Sequence, residues 1–550
     1  MKKILIFIIP VLLIIVSIFS FQAFQKYHKA FYSYSGGISG ANRPPSKMER
    51  VSDTLAIVLI DGMSEELFQR SKIYNTYKAS SVSGEYLLSP VKDRNYLLQE
   101  LLTGAKPDVG GYLSGFPFGA DNLIKVCNDY GLKVVVARSP NSNLVFDSVG
   151  LVDKDIISDT DSLRLKEFTE DISKNKYELV IFEFNSLQLA KDRKELDEKL
   201  TLISDQFELI KNSLTPDSIF FVGALNPNNK FTKIKSPSKY FHSSFMFYGD
   251  KVNKIDTPIT ANSEDITSTF SFLLGLPQPT GCMGKPLVEF LDLEESDKFS
   301  RLNYYIHDYI QNSIFHLSYF EVDEVISEGY YLESLDLLDV SKPTNISEME
   351  AKITSIREKF ESFRTAKREK ENVKYILISI IAIIVSLALW LIFLPKYWLG
   401  YVFGVLLFIL FYIFNYIVFG RGICFPELAY FNFKWLLFYI LPSIAISSVI
   451  VSITLTLISG YVFNVTFKNI IFSLYAAIST VLFLIIIESG VLILKEGVFL
   501  GSVVPTVYAQ FLIFRNMEFS FLLSFILALM VGVSFFIYWL SVRLERNDKV

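Results

Sequence analysis

With 550 residues, 51% of them apolar and 15% aromatic, the chain is too long for one ordinary core and too apolar for an ordinary soluble protein. Its charge is unevenly spread: the segment from Gln22 to Val373 holds 51 of the 57 acidic residues and 41 of the 53 basic ones, a net charge of about −10. So acidic a segment argues against nucleic acid or any other anionic polymer as a partner.

Taken in chain order, Lys2 and Lys3 precede an apolar run, Ile4 to Phe19, that reads as a signal peptide or a first membrane anchor. Gln22-Ala23-Phe24 is a poor cleavage site, so an uncleaved anchor over residues 1–21 is expected. Next, Thr54 to Ile60 reads as a buried strand that ends in Asp61 and Gly62 and gives way to the helical Ser64-Glu65-Glu66-Leu67-Phe68. A carboxylate at that point has two readings, a plain Asp-Gly turn or a hard oxygen donor for a divalent metal. An amphipathic helix follows around Tyr96–Leu102, then strands at Lys133–Ala137 and Glu178–Phe184, and a long helix from Lys191 to Leu214. Strands at Ser218–Val222 and Ser244–Tyr248 lead to a helix, Ser263–Leu274, closed by Gly275. This alternation predicts an α/β doubly wound sheet with helices on both faces, spanning residues 22–320. Cys127 and Cys282 allow at most one disulfide there, without zinc-type spacing, and Cys424 falls near a membrane boundary. Residues 321–373 read as a charged helical stalk, broken at Ser341-Lys342-Pro343-Thr344 and carrying the glycosylation sequon Asn345-Ile346-Ser347.

Residues 374–541 read as a membrane bundle. The runs Tyr375–Phe393, Leu399–Phe419, Trp435–Ile458, Ile470–Leu494 and Phe519–Leu540 each approach the ~20 residues that cross a bilayer. Val498–Phe514, interrupted by Gly501, Pro505 and Gln510, fits a re-entrant or interfacial piece. Six crossings, counting the first, leave residues 542–550 cytoplasmic with Arg543, Arg546 and Lys549, as the positive-inside tendency asks. The domain between the anchor and the bundle is then extracytoplasmic. The basic cluster from Arg364 to Lys374 opposes this topology, but a long domain translocates largely regardless of charge. Glu488, inside an apolar span, is a functional candidate or a hydrated residue near the outer surface, and Ser447, Ser448, Ser452, Thr454 and Thr456 fit helix packing.

Four groups of residues resemble landmarks of the alkaline phosphatase superfamily, which includes sulfatases, type I phosphodiesterases and membrane phosphoethanolamine transferases. Val58-Leu59-Ile60-Asp61-Gly62 is similar to its metal-binding first strand, and Leu101-Leu102-Thr103-Gly104-Ala105-Lys106-Pro107 to the close of its nucleophile helix. His242-Ser243-Ser244 with Phe245 to Gly249 resembles the last metal histidine and its strand. Glu264-Asp265-Ile266-Thr267-Ser268-Thr269 with Leu274-Gly275-Leu276-Pro277-Gln278-Pro279 and Gly284 resembles the family's ending. The resemblance implies that Asp61 and His242 lie at the carboxyl edge of the sheet, on one face, as ligands of zinc or manganese.

The same resemblance puts Arg94 where the family has a Ser or Thr nucleophile, and a guanidinium cannot attack phosphorus. The acid-and-histidine pair expected after Glu178–Phe184 is replaced by Asn185-Ser186-Leu187-Gln188-Leu189, and the Asp-His after the next strand by Gly223-Ala224-Leu225-Asn226. His307 and His316 lie past the last landmark and read as packing or surface residues. Two ligands cannot hold a two-metal clamp. An ion pair of Arg94 with Asp61 would replace the lost cation charge for charge. The expected function is therefore binding or assembly at the cell surface, with no cofactor. Its partners would be membrane lipids and a cell-surface lipid, glycan or protein. Two alternatives stand beside it: an active divalent-metal phosphoester hydrolase or phosphoethanolamine-type transferase with Ser89 as nucleophile, and a transporter-like bundle gated by the outer domain.

Overall fold

The computed structural model describes residues 48–88, 94–104, 121–142, 152–227, 241–255, 257–319, 329–334 and 345–360, with scattered positions as far as 480. The chain divides into two compact units, Phe31–Thr365 and Met1–Ala30 together with Ala366–Val550. Glu488, Ser89, the N-terminal run and nearly all of the five spans lie outside the described residues. Among the described residues no helix is long and apolar enough to cross a membrane.

The first half of the domain supplies β1 (Leu55–Gly62), α1 (Glu65–Arg70), α2 (Lys72–Tyr77), β2 (Ser81–Leu88), α3 (Arg94–Thr103), α4 (Leu123–Asp129), β3 (Val134–Arg138) and β4 (Lys154–Ile157). After it come α5 (Asp161–Ile172), β5 (Leu179–Phe184), α6 (Arg193–Ser213), β6 (Ile219–Pro227), β7 (Phe241–Tyr248), β8 (Ile259–Asn262), α7 (Ser263–Leu273) and α8 (Glu295–Tyr319). The strands join in one sheet, in the order β4-β3-β5-β1-β6-β7-β2-β8. β4, β3, β5, β1 and β6 run parallel, β7 runs against both β6 and β2, and β8 pairs parallel with β2. The sheet is therefore mixed, and β2, β4 and β8 are strands that the apolar pattern does not announce.

Burial explains the central strands. Every residue of β1 and β5 is buried, as expected where helices cover both faces of a parallel sheet. Ala56, Val58 and Ile60 share one face with Val180, Phe182 and Phe184, packed beneath α1, α2, α5 and α6 through Leu67, Phe68, Tyr77, Phe168 and Phe207. The intervening residues, Ile57, Leu59 and Asp61 on β1 with Ile181 and Glu183 on β5, face the other way, because side chains alternate along a strand. Helices begin where polar caps allow: the side chains of Asn122, Thr160 and Asp192 accept backbone N–H groups of the first turns of α4, α5 and α6.

The landmarks in α3 and α7 have structural work. Thr267 donates to the Leu101 carbonyl at 2.7 Å and Ser263 to Glu100 at 2.6 Å, which ties α7 to α3. Asp265 accepts the Asn262 N–H in a capping box and the Lys285 N–H at 2.7 Å. Gly104 has a φ of +61°, and a Cβ there would run into Cys282. Gly284 leaves no room for a Cβ against the Glu264 carbonyl. Cys127 and Cys282 are both buried free thiols, so the disulfide allowed by their number is not formed.

Part of the charged segment is packed on this domain rather than standing clear of it. Arg357 lies 3.7 Å from Asp265 and Lys285 lies 3.3 Å from Glu350, while Met349, Ile353, Ile356 and Phe360 are buried. Asn345, the sequon residue, accepts the Glu348 N–H at 2.9 Å and so caps this helical stretch.

Gly284→Ala is expected to destabilise the domain by about 1–3 kcal/mol, because a methyl forced into a packed backbone contact must displace it. The midpoint of urea unfolding checks this; an unchanged midpoint would mean that the α7 contact yields freely.

Candidate functional site

Asp61 ends β1 at the carboxyl edge of the sheet, the edge where open α/β folds gather ligands. Gly62 follows with a φ of +89°, and a Cβ there would lie 2.6 Å from the Gln188 nitrogen. Only glycine lets the strand end press so closely on the segment after β5. The Asp-Gly pair is thus a strand end and a close backbone approach, and it leaves the Asp61 carboxylate buried, with 6% of the residue exposed.

The group facing this carboxylate is Arg94, the first residue of α3. Its Nη1 lies 3.9 Å from Asp61 Oδ2, but its closest anionic partner is Glu183 on β5, to which Nη2 donates. Nη2 also donates to Ser142 Oγ at 2.6 Å and Nη1 to Ser139 Oγ at 3.2 Å. Ser142 Oγ and the Ser139 N–H donate in turn to the same Glu183 oxygen, at 2.8 and 3.3 Å. Arg94 is 9% exposed and Glu183 1%. A buried ion pair of this kind is held by its added hydrogen bonds as much as by Coulomb attraction, because desolvating both charges is costly.

Glu183 has no counterpart among the residues singled out from the sequence, where an acid is looked for beyond the strand at Asn185 and not within it. Its signal is present: an ionisable residue between Phe182 and Phe184, in a strand buried on both faces, requires a buried cation.

A second cluster holds the segment where an acid and a histidine are expected. Asp161, the first residue of α5, accepts the backbone N–H groups of Asn185 and Ser186, each at 3.1 Å. Arg164 is fully buried, donating to Asp161 at 3.0 Å, to the Ser158 carbonyl at 2.6 Å and to the Glu183 carbonyl. Burial pushes the Arg164 pKa down, opposed by Asp161 and Glu183. Where the family has an Asp-His after the next strand, the Ala224 carbonyl accepts the hydroxyls of Tyr86 and Ser243.

His242 does not join Asp61. Both stand at the carboxyl edge, but His242 shares its side of β7 with Met246, which belongs to the core beneath α1, α2, α5 and α6. Asp61 faces the opposite side with Glu183 and Arg94. The His242 side chain is 53% exposed and its Nδ1 lies 2.9 Å from Glu85 of β2. The expectation that the two residues share a face is therefore corrected by strand alternation. His307 is exposed on α8, the helix that also carries His316.

The donor set does not fit a resident divalent cation. The space between Asp61 and Glu183 is taken by a guanidinium, which has no lone pair to offer and repels a metal. Among the described residues no three His, Cys, Asp or Glu side chains converge as a metal site requires. Among the described residues, the arrangement holds charge in place.

Asp161→Asn is expected to cost about 3–5 kcal/mol, because it leaves the Arg164 guanidinium buried without its anion. Denaturant unfolding of the variant measures this, and a loss below about 1 kcal/mol, the scale of an exposed pair, would contradict the burial argument.

No family model and no curated protein matches the chain. Among solved structures, the chain is similar to a protein of the alkaline phosphatase superfamily from Vibrio parahaemolyticus, at 15% identity over 50% of this chain and 80% of that one, with a TM-score of 0.38. It is also similar to the C-terminal periplasmic domain of the phosphoethanolamine transferase EptC from Campylobacter jejuni, at 15% identity over 41% of this chain and 89% of that one, with a TM-score of 0.29. At these values neither structure carries an activity or a site residue across to this chain. One neighbour is a protein of the superfamily that the four landmarks resemble, and the other is a transferase of a kind that superfamily includes.

Proposed function

We propose that this is a multi-pass membrane protein whose large extracytoplasmic domain keeps an alkaline-phosphatase-like fold without its chemistry and serves binding or assembly at the cell surface. The observation that carries the reading is the buried Arg94–Glu183 pair beside Asp61, with Ser139 and Ser142 completing it. A cation clamp for phosphoryl or sulfuryl transfer needs carboxylates free to ligate and an activated nucleophile; here both carboxylates face a guanidinium. The surviving landmarks agree with this division. Asp265, Thr267, Gly104 and Gly284 hold helices and backbone together, while the nucleophile position and the acid and histidine positions after β5 and β6 carry other residues.

The membrane part of the reading rests on the lengths of the apolar runs beyond Tyr375 and on large aliphatic side chains presented outward. Val373, Leu377, Ile380, Ile384, Val402, Val405 and Leu406 are all more than two-fifths exposed. In water such exposure is unfavourable, by about 25 cal/mol per Å², whereas a lipid environment accepts it. The partners in this reading are membrane lipids around the bundle and a lipid, glycan or protein at the surface.

The purified full chain in detergent is expected to hold no stoichiometric zinc or manganese and to leave aryl phosphates, phosphodiesters and sulfate esters uncleaved above background. Elemental analysis and turnover assays read this directly. Arg94→Thr alone should not create turnover, because the cations that would stabilise developing charge would still be missing. Turnover abolished by Ser89→Ala would replace this reading with that of an active transferase.

For the topology, a single cysteine at Asn229 should react with an impermeant maleimide added outside intact cells, and one at Asp548 should not. The reverse pattern would overturn the extracytoplasmic assignment.

A further inference from the structure

We propose that one ordered water molecule is a built-in part of this domain, held in a cavity beside α7 by the hydroxyls of Ser268 and Ser271 and the side-chain amide of Gln278. The site shares no residue with the Asp61 cluster, so the inference stands apart from the reading of the domain as catalytically silent. The cavity lies where Met48, the second half of α7 with the turn 274–279, and α8 come together. The space it offers to a water-sized sphere is about 20 Å³, above the roughly 10–15 Å³ that one water needs. Its walls are fixed by main-chain contacts. The Met48 N–H donates to the Gly275 carbonyl at 2.8 Å, and Arg301, another lining residue, donates to the Glu49 carbonyl at 2.6 Å.

The polar side chains in this wall are the second observation. Three of the five hydroxyl residues of α7 have protein partners: Ser263 donates to Glu100, Thr267 to the Leu101 carbonyl and Thr269 to the Asp265 carbonyl. Ser268 and Ser271, one turn apart and each 1% exposed, line the cavity and have no hydrogen-bond partner in the protein. Gln278, between Pro277 and Pro279, has its backbone N–H fixed by Asp308 at 2.8 Å, and its amide is 4% exposed at the cavity, with an oxygen that accepts no protein donor. The Tyr305 hydroxyl beside this amide gives its proton to the Gly284 carbonyl and so has none for the Gln278 oxygen. Leaving such groups unpaired is costly, and one water accepting from the two serines and donating to Gln278 gives each of them a partner. Three partners are what a buried water typically makes, whereas a purely apolar cavity stays dry. The water then joins α7 to the turn that follows it, which gives Gln278 a role in the motif.

Two measurements on the full chain in detergent test this. The first is an experimental structure at a resolution that orders other waters in the domain; density for one water between Ser268, Ser271 and Gln278 is expected. The second follows opening of the domain by thiol labelling. All four tryptophans, Trp390, Trp398, Trp435 and Trp539, lie in the predicted bundle, whereas Cys127 and Cys282 are buried free thiols inside the domain. With Cys424→Ser as background, the temperature at which Cys127 and Cys282 become reactive reports unfolding of the domain. It is compared for the parent, Ser271→Ala, Gln278→Met and the double variant. The effect of a serine-to-alanine change on the helix itself, and of losing the Tyr305 contact of Gln278, belongs to one site each and cancels in this cycle. The effect of the double variant should differ by a few degrees from the sum of the two single effects, because both side chains act through the same water.

A cavity without water density, or temperature shifts that simply add, would overturn the proposal. Neither outcome touches the silent-domain reading, which is judged by metal content and turnover.

Discussion

The buried charge at the carboxyl edge of the sheet is the constraint on which this domain is arranged. Glu183 sits next to the last residue of a strand covered on both faces, where an unpaired carboxylate would be too costly to keep ionised. Arg94 at the start of α3 supplies the opposite charge, and Ser139 and Ser142 after β3 fill the remaining hydrogen bonds. Three separate pieces of chain, α3, the β3 end and β5, are thereby pinned to one point beside Asp61. Arg164 and Asp161 repeat the device next to it, and hold the turn that leaves β5.

This construction separates two roles that a carboxylate at a strand end can fill. A metal site requires several donors that converge with their lone pairs free. A structural ion pair requires one donor cation and a closed shell of hydrogen bonds. The geometry around Asp61 is of the second kind. The motif residues of α3 and α7 are structural in the same way, since they cap helices, permit close backbone approach and tie helix to helix. Fold and chemistry are carried by different residues, so one can be retained without the other.

The charged segment that follows the domain is joined to the same set of contacts. Arg357 reaches Asp265, the capping residue of α7, and Lys285 reaches Glu350, so helix 346–360 is fastened to the element that also braces α3. Burial of Met349, Ile353, Ile356 and Phe360 gives this contact an apolar body beneath its ion pairs.

Sequence alone determined the strongly periodic or uniformly apolar elements. β1, β3, β5 and β6 are apolar runs of strand length, and α6 and α7 have clear helical periods, end signals or both, so each was legible within a few residues. The direction of β7 and the existence of β2, β4 and β8 were not, because their residues are polar, glycine-bearing or too few to show a period. The importance of Arg94 was visible as a mismatch of residue type with position, and that of Asp61 as a carboxylate at the end of a buried strand. Their partner was decided by tertiary structure: strand alternation turned Asp61 and His242 to opposite faces, and register brought Glu183, far away in the chain, alongside Asp61. Residue identities show which charges must find partners; only the packed sheet chooses among the partners available, because facing and register are properties of neighbouring strands and not of any one of them.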